Sequence, residues 1–378
     1  LPEMQIGDVT LAQLLDSPRG TRWWFTEICE KSGWRTPFIN LLYQLALIRV
    51  AMGQENYDEV WLNVATPYIT SIFLRDLSSP KFFSLVQPTE SRFNVAWRYL
   101  SNAISIVGAM AMVRLVLFIM GWRAQYEDAR LFFFSVYPHW WTRAMSQEAT
   151  DRFFATMPDS MRGRFLVWLS HPREVWKWRH DMIQVMYRKQ MIPLQTIVRW
   201  RDALRLFNPL YMLELWRASV TICQQKKTID FVGLDVSSLV GDELIKSLVS
   251  KEWLNNCLLT SAIDEMVSRI PEAMLVYRDE FQPLESALLF GLNRRWRTVG
   301  FYHAPFIKNF TAYQFTESEM SNWINRGDWH LDRPLPDRII AVAEVMREHL
   351  VAQGYPKDRI VLCGPQRQGE LESYMRSR

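Results

Sequence analysis

The sequence predicts an α/β protein: a Rossmann-like, doubly wound parallel sheet with additional helices. Three observations predict it. Short apolar runs rich in β-branched and aromatic residues recur, and each is followed by a longer amphipathic stretch, which is how parallel strands alternating with crossover helices read. Polar residues gather just beyond the ends of several runs. At 378 residues and 49% hydrophobic content the chain has ample material for a packed core.

Eight runs are the strand candidates: DEVWLNVA from Asp58, RLFFFSVY from Arg130, GRFLVWLS from Gly163, IDFVGLDV from Ile229, AMLVYRDE from Ala273, TVGFYHAP from Thr298, DRIIAVAE from Asp337 and DRIVLCGP from Asp358. Gly354-Tyr355-Pro356 supplies a helix stop ahead of the last. Between the first two runs, residues 99–122 are nearly free of charge and, at about 20 residues, long enough to span a bilayer. Arg114 sits mid-segment and Gly108 loosens the helix, so a buried core helix, or one lying partly in one leaflet, is expected instead of a crossing. Residues 176–216 read as helices broken at Pro193 and Pro209. No internal repeat or low-complexity linker is present.

Composition excludes several classes. Forty-four Lys and Arg against 40 Asp and Glu leave a formal charge of +4, too small to prescribe a nucleic-acid partner. The four cysteines, Cys29, Cys223, Cys257 and Cys363, form no CxxC pair, which argues against a zinc ribbon or disulfide framework and for a reducing cytoplasm. Acids stand near the first residues where the basic region of a signal peptide would be. Seventeen Trp, many beside Arg, either stack at the rim of the core or anchor the protein peripherally at a lipid headgroup layer. No G-x-S-x-G, Walker, G-x-G-x-x-G or H-E-x-x-H motif occurs. The six His are dispersed and no D-x-D pair offers carboxylates to a nucleotide-bound cation, so neither metal nor cofactor is expected.

In open parallel sheets ligands bind beyond the carboxyl ends of the strands. The residues expected there are Arg278, Asp279 and Glu280 after AMLVY, Tyr302 and His303 at the end of TVGFYH, Asp235 after IDFVGL, and Gly364 and Arg367 after RIVLC. A helix starting near Pro283 carries Glu285 in its first turn, where the dipole favours a carboxylate with or without any chemistry. His303 either bonds backbone in its loop or lines a cleft.

These residues resemble a family. FVGLDVSSLVGDELIKSL, DEFQPLESALL, TVGFYHAPF and LPDRIIAVAEVMREHLVAQGYPKDRIVLCGPQR follow one another as corresponding motifs do in the bacterial surface-carbohydrate glycosyltransferases of the GT-B type. LFFFSVYPHW and DRFFATMPDSM are similar to an earlier passage of that group. Tyr302 stands where the family usually has glutamine, and DRFFATMP lacks its glycine. The resemblance implies an acceptor-side Rossmann-like half over residues 1–364, with helical insertions at 99–122 and 176–216. Residues 365–378 would lead into a donor-binding half that activity requires. It further implies metal-independent transfer from a nucleotide sugar to a glycan or glycolipid acceptor, in the cytoplasm or on the inner face of its membrane. Glu285, Glu280 and His303 would be catalytic, Arg367 and Gly364 would meet the donor phosphate, and Arg278, Asp279, Asp235 and Tyr302 would line the acceptor cleft. The alternative is a non-catalytic sugar- or lipid-binding subunit of a glycan-assembly complex.

Overall fold

The computed structural model describes residues 5–6, 9–10, 16–17, 20–21, 26, 29, 37–54, 59–61, 81–83, 92–122, 126, 128–137, 141–143, 149–151, 153–154, 161–169, 186, 191–208, 230–231, 234–280, 282–302 and 334–363. The chain packs as two compact units. One takes residues 1–103 and 206–254, and the other residues 104–205 and 255–378.

The second unit is built on a seven-stranded sheet, and every pairing in it is parallel. Its strands are β1 (Leu131–Tyr137), β2 (Arg164–Leu169), β3 (Ile192–Pro193), β4 (Met274–Arg278), β5 (Arg297–Tyr302), β6 (Arg338–Ala341) and β7 (Ile360–Leu362). Their spatial order, 3-2-1-4-5-6-7, runs outward in both directions from the β1–β4 pair. That order, with every pairing parallel and helices flanking the sheet, is the Rossmann-like α/β arrangement, in which right-handed crossovers on either side of the central pair go to opposite faces. Burial on both faces explains why LFFFSVY and RFLVWL are nearly continuous apolar runs instead of alternating ones.

Six of the eight predicted runs form strands of this sheet. The other two belong to the first unit: Glu59–Trp61 pairs with Lys81–Phe83, and Asp230–Phe231 pairs antiparallel with Leu234–Asp235. The seventh strand, β3, comes from MIPLQ, where residues 176–216 read as broken helices. Pro193 ends β3 at the sheet edge, a place that tolerates its missing N–H, and a 3-10 turn, Leu194–Thr196, follows.

The helices are α1 (Pro37–Gln54), α2 (Arg92–Ile119), α3 (Trp200–Arg205), α4 (Ser237–Leu248), α5 (Lys251–Arg269), α6 (Pro283–Leu292) and α7 (Glu344–Ala352). In the first unit Tyr99 of α2 donates its hydroxyl to the Leu206 carbonyl at 2.8 Å, and Asn102 donates to the Val249 carbonyl at 2.8 Å. In the second, Phe132 of β1 stacks on Trp296 with ring centroids 4.9 Å apart, while the Trp296 indole donates to the Ile270 carbonyl at 2.6 Å. The start of β5 is pinned to the entry of β6: Thr298 N donates to Asp337 Oδ2 at 2.8 Å, and Asp337 N donates back to Thr298 Oγ1 at 2.9 Å.

Helix α6 lies hard against α5. A Cβ at Gly291 would meet Thr260 O at 2.8 Å and Ile263 Cβ at 2.8 Å, so only hydrogen fits, and Thr260 Oγ1 donates to the Ala287 carbonyl at 3.1 Å in the same contact. Because a backbone carbonyl cannot swing aside, Gly291→Val should cost about 2–3 kcal/mol by overpacking. Urea denaturation measures it. An unchanged midpoint would show that α6 is free to shift away from α5.

Candidate functional site

The β1–β4 pair is where the strand order reverses, and in such sheets the crevice beyond the carboxyl ends opens at that point. Phe134 of β1 pairs with Tyr277 of β4. One residue further along each strand come Ser135 and Arg278, and both take part in a buried polar cluster.

On the β1 side the cluster is organised by Asp151. Its carboxylate accepts the Ser135 hydroxyl, Phe153 N at 2.7 Å and Phe154 N at 2.9 Å, an Asx-type turn that shapes the segment after β1. Ser135 Oγ in turn accepts the Trp141 indole at 2.9 Å. Burial pushes the Asp151 carboxyl up, opposed by the Ser135 and backbone hydrogen bonds and by the Arg278 charge. The turn presents the Phe153 ring to Arg278, whose guanidinium carbon lies 5.0 Å from the ring centroid.

On the β4 side, Arg278 pairs with Glu280 at 2.9 Å, and Glu280 also accepts Gln282 Nε2 at 2.8 Å. Asp279 donates its backbone N–H to the Phe301 carbonyl at 2.9 Å, and its Oδ2 lies 3.5 Å from the Tyr277 hydroxyl. That carboxylate lies directly over β5. A Cβ at Gly300 would come within 2.7 Å of Asp279 Oδ2, so glycine is what lets the acid sit there.

Glu285 joins the parts. Gln282 is the N-cap of α6, Pro283 opens its first turn, and Glu285 closes a capping box with Gln282. One oxygen, Oε2, accepts both Glu280 N at 2.7 Å and Gln282 N at 2.9 Å, so the loop after β4 is held by this side chain. The other oxygen, Oε1, is buried and has no hydrogen-bond partner among the described residues. Glu285 is 2% exposed. Burial first, and then the Asp279 charge, raise its proton affinity well above the usual carboxylate range, with Arg278 opposing and Glu280 adding to the rise. The same burial, with the charges of Asp279 and Glu285, raises the Tyr277 phenol.

The arrangement is a carboxyl group of raised proton affinity beside a second buried acid, with the Arg278 guanidinium opposing the rise. It suits the hydroxyls of a neutral or cationic ligand and opposes a phosphate. Among the described residues no group of three or more His, Cys, Asp or Glu is placed to hold a metal ion.

Of the sequence-predicted residues, Arg278, Asp279, Glu280 and Glu285 come together here. Tyr302, at the end of β5, is buried in the apolar cluster of Leu335, Ile339, Met346, Leu350 and Tyr355, so packing accounts for its position. Asp235 is not at a carboxyl end of the parallel sheet. It lies in the antiparallel pair of the first unit, because IDFVGLDV folds back on itself. His303, Gly364 and Arg367 lie outside the described residues. Sequence reasoning missed Asp151, Ser135 and Phe153 as site builders. The available signal was an Asp two and three residues ahead of amides it can cap, just after a strand.

No protein-family model, characterised protein or solved structure matches the chain.

The buried acids set a pH dependence of stability. A carboxyl whose folded proton affinity is raised stabilises the fold fully below its unfolded pKa of about 4.5 and loses that contribution as pH rises through the folded value. Wild type, compared at about pH 5 and about pH 8, should therefore be the less stable at the higher pH. Glu285→Gln keeps an acceptor for the two N–H groups but cannot ionise, so its loss over that range should be smaller. Glu285→Ala strips the cap and should cost about 1–2 kcal/mol at either pH. Urea midpoints at both pH values decide; identical pH slopes for wild type and Glu285→Gln would contradict the raised affinity.

Proposed function

We propose that this chain is the acceptor-side part of a glycosyltransferase that moves a sugar from a nucleotide-sugar donor to a glycan or lipid-linked acceptor. One observation carries the reading: a buried carboxyl oxygen, Glu285 Oε1, without a hydrogen-bond partner among the described residues, on a group of raised proton affinity, close to the carboxyl end of β4 at the reversal of strand order. Glu285 in its ionised form takes the proton of an acceptor hydroxyl. The freed oxygen pair attacks the anomeric carbon, and the bond from that carbon to the donor phosphate breaks with its electrons leaving on the phosphate. Arg278, steadied by Glu280 and Phe153, offsets the charge at the base, and Asp279 orients acceptor hydroxyls.

The acidic cluster opposes a donor phosphate, which on this reading would meet Gly364, Arg367 and a second α/β half. The sequence carries no D-x-D pair, and basic side chains and helix N-termini then stabilise the departing phosphate. On this reading His303 would line the acceptor cleft. A cytoplasmic site on the inner membrane face suits a lipid-carried acceptor.

The second reading is a non-catalytic sugar- or lipid-binding subunit. It is favoured by the capping box, which explains the position of Glu285 without chemistry.

Transfer assays on the full-length gene product separate the two. As general base, Glu285 gives a rate that rises with pH through an apparent pKa above the usual carboxylate range. Glu285→Gln should lower kcat by about 100-fold or more with its fold and acceptor binding retained. His303→Ala tests the cleft assignment by the same assay. Full turnover in Glu285→Gln removes it from catalysis, and acceptor binding without turnover by wild type establishes the binding-subunit reading.

A further inference from the structure

From Ile104 to its end helix α2 is apolar on nearly every side, Ser105 and Arg114 apart, and the helix is packed along one side. Val95, Tyr99, Ala103, Ile106, Met110, Val113 and Leu117 form a buried stripe at spacings of three and four. Ile104, Leu115, Phe118 and Ile119 lie exposed on other faces, with Phe118 82% exposed. By length and composition the helix could cross a membrane. Its one mid-helix cation forbids that role: Arg114 donates to the carbonyls of Gln195 at 2.9 Å, Thr196 at 3.2 Å and Val198, and its guanidinium stacks 4.8 Å from the Trp200 ring centroid. A crossing would have to tear these contacts away.

Arg114 also fixes the neighbourhood. Phe118 is one helical turn beyond it, on the same side of α2, and Trp200 opens α3. On α3, Trp200 and Leu204 are exposed apolar residues one turn apart, and Arg201 and Arg205, equally one turn apart, are exposed beside them. The acid between them, Asp202, is buried and held by Arg199 at 2.8 Å and Ser261 at 2.7 Å; it also pairs with Arg205 at 3.3 Å and more loosely with Arg201 at 3.7 Å, and both of these arginines stay mostly exposed. Helix α2 itself contains no acidic residue.

We propose that the exposed faces of α2, from Ile104 to its end, and of α3 dock on an anionic phospholipid surface, with α2 lying along the membrane plane. Phe118, Ile119, Leu115 and Leu204 enter the acyl boundary, Trp200 sits at headgroup depth, and Arg201 and Arg205 meet lipid phosphates. Lipid is favoured over a second copy of the chain because a two-fold contact through this face would set arginine rims against each other with no exposed acid on either helix to receive them. This inference stands apart from glycosyl transfer, since partition onto vesicles reads no turnover.

The test is co-sedimentation of the full-length protein with vesicles of phosphatidylcholine alone and of phosphatidylcholine mixed with phosphatidylglycerol. Light scattering of the same samples without lipid reads the oligomeric state. Wild type should partition onto the mixed vesicles and far less onto phosphatidylcholine. Phe118→Asp, at a position too exposed to matter for folding, should weaken partition by about tenfold or more. Arg201→Glu with Arg205→Glu should weaken it by at least about fivefold per arginine and abolish its salt dependence. Partition unaffected by these changes overturns the proposal. So does absence of binding to either vesicle, or a wild-type dimer that Phe118→Asp converts to monomer.

Discussion

A single carboxylate oxygen holds the candidate site together. Glu285 Oε2 receives the backbone N–H groups of Glu280 and Gln282, and so ties the end of β4, the loop after it and the first turn of α6 into one piece. Arg278 and Glu280 are oriented on that piece, and Asp279 is carried over β5 at Gly300. When the carboxyl is ionised the bond is strong, because a charged acceptor meets two backbone donors beside a helix start. Its setting works against ionisation, because the group is buried beside another acid. The same residue is thus asked to be charged by its cap and neutral by its surroundings. Such opposed demands are commoner where chemistry is done than where a helix is merely capped.

The sheet explains why these groups meet. Strands added outward on both sides of β1 and β4 leave those two as neighbours without a direct connection, the place where connections in such a sheet part to opposite faces. Polar side chains at the two carboxyl ends can then be buried against each other: Ser135 and Asp151 from one side, Arg278 to Glu285 from the other. The supports are ordinary packing devices. Trp296 stacks on Phe132, the Thr298–Asp337 pair keeps β5 and β6 in register, and Gly291 lets α6 seat closely on α5.

Arg114 plays the corresponding role for α2. An arginine in the middle of an apolar helix is costly in lipid and costly in a dry core, and here three backbone carbonyls after β3 and the Trp200 ring satisfy it. Those carbonyls are available because the chain turns through a 3-10 segment there instead of continuing as a helix.

The periodic character of the chain was legible in its residues. Two-faced apolar runs mark β1, β2, β4, β5, β6 and β7, Pro283 and Glu285 mark the start of α6, and Arg114 argues against a membrane crossing. These are local properties, decided by side-chain spacing and backbone chemistry within a few residues. Tertiary structure alone decided the rest. It took IDFVGLDV out of the sheet and brought MIPLQ in, since a short apolar run joins whichever edge leaves its amides paired. It buried Tyr302 as packing, and it brought Asp151 to Arg278 across more than a hundred residues of chain. Strand order is set by which faces can be covered together, and no window of sequence contains that information.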